Sequence, residues 1–219
     1  QPLLQVEWTT APEAAPAVGW AVLDESGHGL PAPLGSYSDL AGIVGTPPLV
    51  VVPFPGEDGP VAVAHRALRL AQEWLAEERF ADSRLVFVTR DATTARTDAG
   101  LGSAPVWGLV RTAMAENPHR FGLLDLTDWD LSEAELGRAL AVPEAQVSLR
   151  DGALLVPRLV KSPTTGDTVP ALNPEGTVLI TGATGTLGQL FARHLVAEHG
   201  VRHLLRTHGP RSRRDRGRL

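Results

Sequence analysis

The 219-residue chain contains no cysteine. That excludes disulfides, thiolate metal ligands and a cysteine nucleophile, and it suits a reducing compartment. No apolar run approaches the roughly 20 residues that a membrane-spanning helix needs. Residues 1–10 show no basic stretch followed by an apolar one, so no signal peptide is visible and a cytoplasmic protein is expected. Lysine is nearly absent: Lys161 is the one lysine among 20 basic residues. Hydrophobic residues make up 43% of the chain, enough to build a core, so wholesale disorder is not expected.

The net charge of −5 is unevenly placed. Residues 202–219 carry seven arginines against the single acid Asp215, a surplus of six, which leaves −11 for the remainder. A basic tail can hold nucleic acid or an anionic membrane. This one has no aromatic residue to stack on a base and no helical period, so neither partner is expected.

Short apolar runs alternate with helical or turn-rich stretches. Strands are expected at residues 3–8, 20–23, 49–52 (LVVV), 84–89 (RLVFVT), 121–126 (FGLLDL), 144–150 and 154–160. Continuous apolar runs of this length are the pattern of strands buried on both faces. Helices are expected at 61–79, where Leu68, Ala71, Trp74 and Leu75 make one stripe, at 105–116, ended by Asn117-Pro118, and at 131–140. This alternation predicts an α/β protein with a parallel, Rossmann-like sheet. Residues 161–174 (KSPTTGDTVPALNP) read as a linker, and a second α/β unit opens after it.

The most chemically informative stretch is GTVLITGATGTLGQLFARHL, residues 176–195. A buried strand at 177–181 runs into Gly182, Gly185 and Gly188 and then into an amphipathic helix reaching about His199. One glycine permits the tight turn, one lets the backbone approach a pyrophosphate, and one lets the helix pack closely on the strand. The pyrophosphate then sits at the helix N-terminus. Gly182, Thr184, Gly185, Thr186, Leu187 and Gly188 are the candidate cofactor-binding residues. No Gly-Lys-Ser/Thr follows, which excludes a Walker A loop. His194 and His199, five apart on that helix, lack a third partner for a metal.

Three stretches together resemble the ketoreductase domains of modular polyketide synthases. They are VWGLVR at 106–111 continuing to FGLLDL at 121–126, QVSLRDGALLVPRL at 146–159, and the 182–188 loop with ARHLVAEHGVRH at 192–203. The resemblance implies a structural subdomain over residues 1–160, degenerate in its Rossmann character and without a cofactor site, then a linker at 161–175. Residues 176–205 would be the start of an NADPH-binding catalytic subdomain of the short-chain dehydrogenase/reductase type, with 206–219 an atypical tail. It further implies a parent reaction, reduction of a β-ketoacyl chain on an acyl carrier protein, with other synthase domains as partners. Under it, Trp107, Leu109 and Val110 are packing residues, while Arg111 and Glu116 hold helix ends or an internal ion pair.

A ketone reduction needs a hydride donor and an acid for the developing alkoxide. The resemblance implies a tyrosine, serine, lysine and asparagine for this, all beyond the glycine loop. After Gly188 these 219 residues contain no tyrosine, lysine or asparagine, and the one serine is Ser212. The expectation is therefore no catalytic residue and no reductase activity in this chain alone, with completion by a second chain, or a bracing role, as alternatives. Arg206 stands where an apolar strand residue is expected, and a buried unpaired arginine is costly. Arg206 and Arg211 are also candidate contacts for a 2′-phosphate.

Overall fold

The computed structural model describes residues 3–13, 15, 19–25, 27–162, 172–173 and 175–207. The chain forms two compact units, residues 1–162 and 163–219. In the first, eight strands make one sheet: β1 (Leu4–Thr10), β2 (Ala21–Leu23), β3 (Ser36–Tyr37), β4 (Leu49–Phe54), β5 (Arg84–Arg90), β6 (Phe121–Leu126), β7 (Gln146–Arg150) and β8 (Ala153–Lys161). Their spatial order is β1-β8-β7-β6-β5-β4-β2-β3. Every neighbour from β3 through β7 is parallel, whereas β8 and β1 join antiparallel. Asp151 (φ 48°) and Gly152 (φ 76°) make the left-handed two-residue turn that folds β8 back on β7.

Helices α1 (Pro60–Ala76), α2 (Asp98–Glu116) and α3 (Glu133–Ala141) follow β4, β5 and β6. Alternation along the strands sorts the core into two layers. Val50, Val52, Phe54, Leu85, Phe87, Phe121 and Leu123 pack with α1 and α2, while Val51, Val86, Val88, Leu124 and Leu126 pack with α3. Both faces are covered, which is why the central strands are apolar at successive positions.

The structure corrects several expectations. α2 begins at Asp98, not at Pro105, because Thr97 accepts the Gly100 N–H at 3.0 Å and caps it; Pro105 lies inside the helix. α1 runs from Pro60 to Ala76, with a separate short turn at Glu78–Phe80, and buries Val63, Ala67, Leu70, Ala71 and Trp74, so Leu68 and Leu75 lie on its exposed side. β4 continues through Pro53 to Phe54. The paired positions of β2 with β4 stop at Val22 and Val51, so Pro53 has no partner there to lose, and its carbonyl accepts from Arg66 at 3.0 Å. The short strand β3 escaped sequence reading. Lys161 belongs to β8; most of the expected linker, residues 163–171 and 174, lies outside the described residues.

The second unit is a single βαβ: β9 (Thr177–Thr181), α4 (Thr186–His199) and β10 (His203–Thr207), with the strands parallel from Thr177–His203 to Thr181–Thr207. Ile180, Ala183 and Ala192 form its core with Val178, Leu195 and Leu204. Gly200 closes α4 in the left-handed region (φ 65°). The opposite sheet face carries Leu179 and Leu205, both more than half exposed. β10 does not stop at Leu205: Arg206 pairs with Ile180 within the strand. Its side chain is exposed at the strand end, so the burial cost anticipated for it does not arise.

Candidate functional site

Two glycine-bearing loops connect a strand to a helix here, one in each unit, and they differ in what they leave open. In the first unit the parallel strands run β3-β2-β4-β5-β6-β7, so the chain reverses its direction of travel between β2 and β4. Open α/β sheets bind ligands at such a switch point, beyond the carboxyl ends of the strands. The loop there, residues 55–59, is pressed onto α2. A Cβ on Gly56 would lie 2.1 Å from the Ala99 carbonyl, and one on Gly102 would lie 2.1 Å from the Gly56 carbonyl. Loop and α2 touch backbone to backbone.

The electrostatics of this crevice oppose a phosphate. Asp24 accepts the Gly27 N–H at 3.0 Å and lies 2.9 Å from His28 Nδ1. Burial lowers the Arg66 pKa from its ordinary value, and Glu25, Asp24 and Asp58 partly oppose that shift. Arg66 itself donates to the Pro53 carbonyl and lies 4.5 Å from the Phe54 ring centre. A pyrophosphate here would meet three carboxylates against Arg69 and the occupied Arg66.

Deeper in the same unit lies a polar cluster that sequence reading missed. Asp125, 1% exposed, accepts from Thr89 Oγ1 at 2.7 Å, Ala92 N at 3.0 Å, and Thr93 N and Oγ1 at 3.1 and 2.6 Å. Arg150 lies 3.6 Å away, and Trp107 donates to Thr89 Oγ1 at 2.8 Å. An aspartate inside FGLLDL was the available signal. Every partner comes from this chain, and the cluster anchors the turn after β5, where Asp91 and Ala95 hold positive φ. Trp107 and Val110 are buried, as a packing role requires. Arg111 donates to Gln146 at 2.9 Å and lies over Trp107, so it ties α2 to β7 where an ion pair or helix-end role was expected.

The second loop is built differently. Gly182 turns the chain off β9 at φ 64°, and the Gly185 N–H donates back to its carbonyl at 3.0 Å. A Cβ on Gly188 would fall 2.5 Å from both Ala183 Cα and the Gly182 carbonyl, so only glycine lets α4 approach this closely. A Cβ on Gly185 would meet nothing nearer than that carbonyl at 3.4 Å. Gly185 is thus free of steric demand from the chain itself. α4 starts with no side-chain cap and no acid in its first turn. Its first N–H groups and the positive end of its dipole therefore lie at Thr186 and Leu187, which are exposed, as is Thr184 just before the cap. The six candidate residues are brought together, and the cradle fits an anion. His194 and His199 stack edge to face at 5.1 Å, and no group of three or more potential metal ligands exists among the described residues. No helix among the described residues is long and apolar enough to cross a membrane.

Residues 6–159 match the family model described as "Polyketide synthase extender module SpnB, Rossmann fold domain". The chain belongs to this family. Among similar proteins, the spectinabilin polyketide synthase system protein NorA of Streptomyces orinoci is 42% identical, over 93% of this chain and 12% of that protein. Polyketide synthase GfsA of Streptomyces halstedii is 43% identical over 94% of this chain and 3% of its own length. The chain therefore spans about an eighth or less of these relatives. Among solved structures, the ketoreductase from the first module of phoslactomycin biosynthesis in Streptomyces sp. HK803 superposes with a TM-score of 0.62 at 26% identity, covering 93% of this chain and 47% of that one. A C2-type ketoreductase from a modular polyketide synthase gives 0.70 at 24% identity over 95% and 54%, a likeness of fold. The fold is Rossmann-like, the general architecture of nicotinamide-dinucleotide binding, and the chain resembles a polyketide synthase ketoreductase domain.

Proposed function

We propose that these 219 residues form the structural subdomain of a polyketide synthase ketoreductase together with the first βαβ unit of its NADPH-binding subdomain. In the parent reaction a β-ketoacyl group on an acyl carrier protein is reduced to the β-hydroxyacyl form, within a synthase whose other domains are the partners. The observation that carries the reading is the 182–188 loop: Gly188 pressed onto Ala183, opening an uncapped helix. Backbone N–H groups at Thr184, Thr186 and Leu187 would hold the pyrophosphate, with Gly185 leaving room for its approach. NADPH, when bound, supplies the hydride. The residues of the 182–188 loop position it. The switch-point loop of the first unit is instead pressed onto α2 at Gly56 and Gly102. Neither a nucleic acid nor a membrane is a partner.

The test is a titration of the 219-residue chain with NADPH, followed by nicotinamide fluorescence, beside an assay of NADPH oxidation on a β-ketothioester. Saturable binding without turnover is expected. Turnover by the chain alone would overturn the silent role, and absence of binding would overturn the loop assignment. A second reading has its own observation. The exposed Leu179 and Leu205 on one sheet face, with Leu187, Leu190 and Phe191 exposed on α4, favour a further element packing there. Under that reading, a separate polypeptide carrying the catalytic tyrosine and serine restores turnover when mixed with this chain.

A further inference from the structure

We propose that the chain associates with a second copy of itself through the open edge of β1, the two strands pairing antiparallel about a twofold axis at Val6. The sheet of the first unit ends in β3 on one side and β1 on the other, and these edges are not alike. β3 is two residues long, and shortness is one way in which an edge is kept from pairing with another chain. β1 runs seven residues, LQVEWTT, with no proline or basic residue in it and with Leu4 to Glu7 exposed. Its register with β8 is unbroken from Leu4–Lys161 to Thr10–Leu155, so no bulge twists the edge away.

The direction of the backbone groups follows from the pairing with β8. The Ser162 N–H donates to the Leu3 carbonyl at 2.8 Å, and the Ala11 N–H donates to the Leu154 carbonyl at 2.8 Å. Leu3 and Ala11 thus both point at β8. In an antiparallel ladder the bonded positions recur at every second residue. Gln5, Glu7 and Thr9 therefore bond to β8, while the N–H and C=O groups of Leu4, Val6, Trp8 and Thr10 point to the open side. The side chains of those four residues share one sheet face. Trp8 packs edge to face on Trp107 at 5.9 Å, whereas Leu4 and Val6 are more than half exposed. Leu159, opposite Val6 in β8, is 71% exposed. An apolar strip therefore borders a row of outward donors and acceptors, which is a template for adding a strand.

Charge selects the occupant and the register. Full overlap of two β1 strands would centre the axis on Glu7 and set it against Glu7 of the copy, a destabilising like-charge pair. With the axis at Val6, Glu7 instead faces Gln5. Gln5 Oε1 accepts from Ser162 at 3.2 Å, so its Nε2 remains a donor for that carboxylate. In this register Leu4 meets Trp8 and Val6 meets Val6, apolar cross-strand pairs that reinforce the ladder. The interface uses the same patch on both chains, so it closes at two copies.

The test is sedimentation equilibrium of the 219-residue chain, with amide hydrogen exchange read at low and high concentration. Apparent mass should rise from one chain toward two between about 1 µM and 1 mM, the range of a small interface. Amides of Leu4, Val6 and Trp8 should gain protection with concentration, while those of Gln5, Glu7 and Thr9 are protected throughout. Val6→Lys should keep the mass of one chain at every concentration and leave the circular dichroism melt unchanged, because the side chain is exposed. The chain has no cysteine, so single cysteines report the register. Val6→Cys should cross-link to itself under mild oxidant, since a bonded pair holds its Cα atoms about 5.5 Å apart, within reach of a disulfide. Gln5→Cys and Glu7→Cys should cross-link to each other when mixed, and not to themselves. The mass of one chain at every concentration would overturn the inference. So would a dimer that persists in Val6→Lys; its loss in Leu205→Lys instead would place the contact on the second unit. Protection of Leu4, Val6 and Trp8 that does not change on dilution would also overturn it, because the edge would then be covered within one chain.

Discussion

At the scale of single residues, Gly185 and Gly188 look equivalent in the sequence and are not equivalent in the structure. A methyl group at Gly188 collides with backbone atoms at 2.5 Å, so Gly188→Ala should unsettle the second unit, seen as loss of its contribution to the circular dichroism melt. At Gly185, φ is −77° and the added Cβ meets one oxygen at 3.4 Å. Gly185→Ala should therefore fold normally yet weaken NADPH binding by an order of magnitude or more, as read by fluorescence titration. Equal loss of fold in both variants would contradict the division of labour between them. Asp125 poses the opposite case, a charge placed for stability. Asp125→Ala leaves the Thr89 and Thr93 hydroxyls and the backbone N–H groups of Ala92 and Thr93 without their acceptor, and removes the carboxylate 3.6 Å from Arg150. Truncating one member of such a buried network should cost about 3–5 kcal/mol, measurable by urea denaturation of the first unit.

At the scale of elements, helix starts carry the clearest local chemistry. Thr97 caps α2 well ahead of Pro105, and Thr97→Ala should cost about 1 kcal/mol by thermal or urea melting. α3 begins with a reciprocal pair. Ser132 Oγ accepts the Glu135 N–H at 3.3 Å, and the Glu135 carboxylate accepts from Ser132 N at 2.9 Å and Oγ at 2.6 Å. Those bonds from Ser132 hold the Glu135 carboxyl below its usual range. A folded pKa below the unfolded one means support that is full above the ordinary carboxylate pKa and is lost as pH falls through the lowered value. The melting difference between the parent and Glu135→Gln should be present at neutral pH and vanish in acid. A difference that persists in acid would place the effect elsewhere than in this carboxylate.

At the scale of the whole molecule, the two units differ in how completely they bury themselves. The first covers its central strands on both faces, whereas the second leaves Leu179 and Leu205 open. Limited proteolysis should cut first within residues 163–175, releasing a fragment that retains the cooperative melt of the first unit. Uniform resistance across that stretch would contradict the division into two units.

Much of this was legible without coordinates. The strands at Phe121–Leu126 and Thr177–Thr181 were placed to the residue, the first by a run buried on both faces and the second by the glycines that flank it, Gly176 and Gly182. The spacing of Gly182, Gly185 and Gly188 between strand and helix marked the tight βα turn, since such a turn demands glycine locally. Tertiary structure alone decided what depended on neighbours distant in sequence. Pro53 lies within a strand because β2 is too short to reach it, and α2 reaches back past Pro105 because a threonine cap and the Gly56–Gly102 contact hold its first turns. Arg206, costly in a buried strand, is exposed because this strand lies at the edge of a two-stranded sheet and ends beside the loop it touches. Local sterics and hydrophobic period act between residues a few positions apart. Closure of one glycine loop and the opening of the other arise between segments about 45 and 25 residues apart, and only folding brings those together.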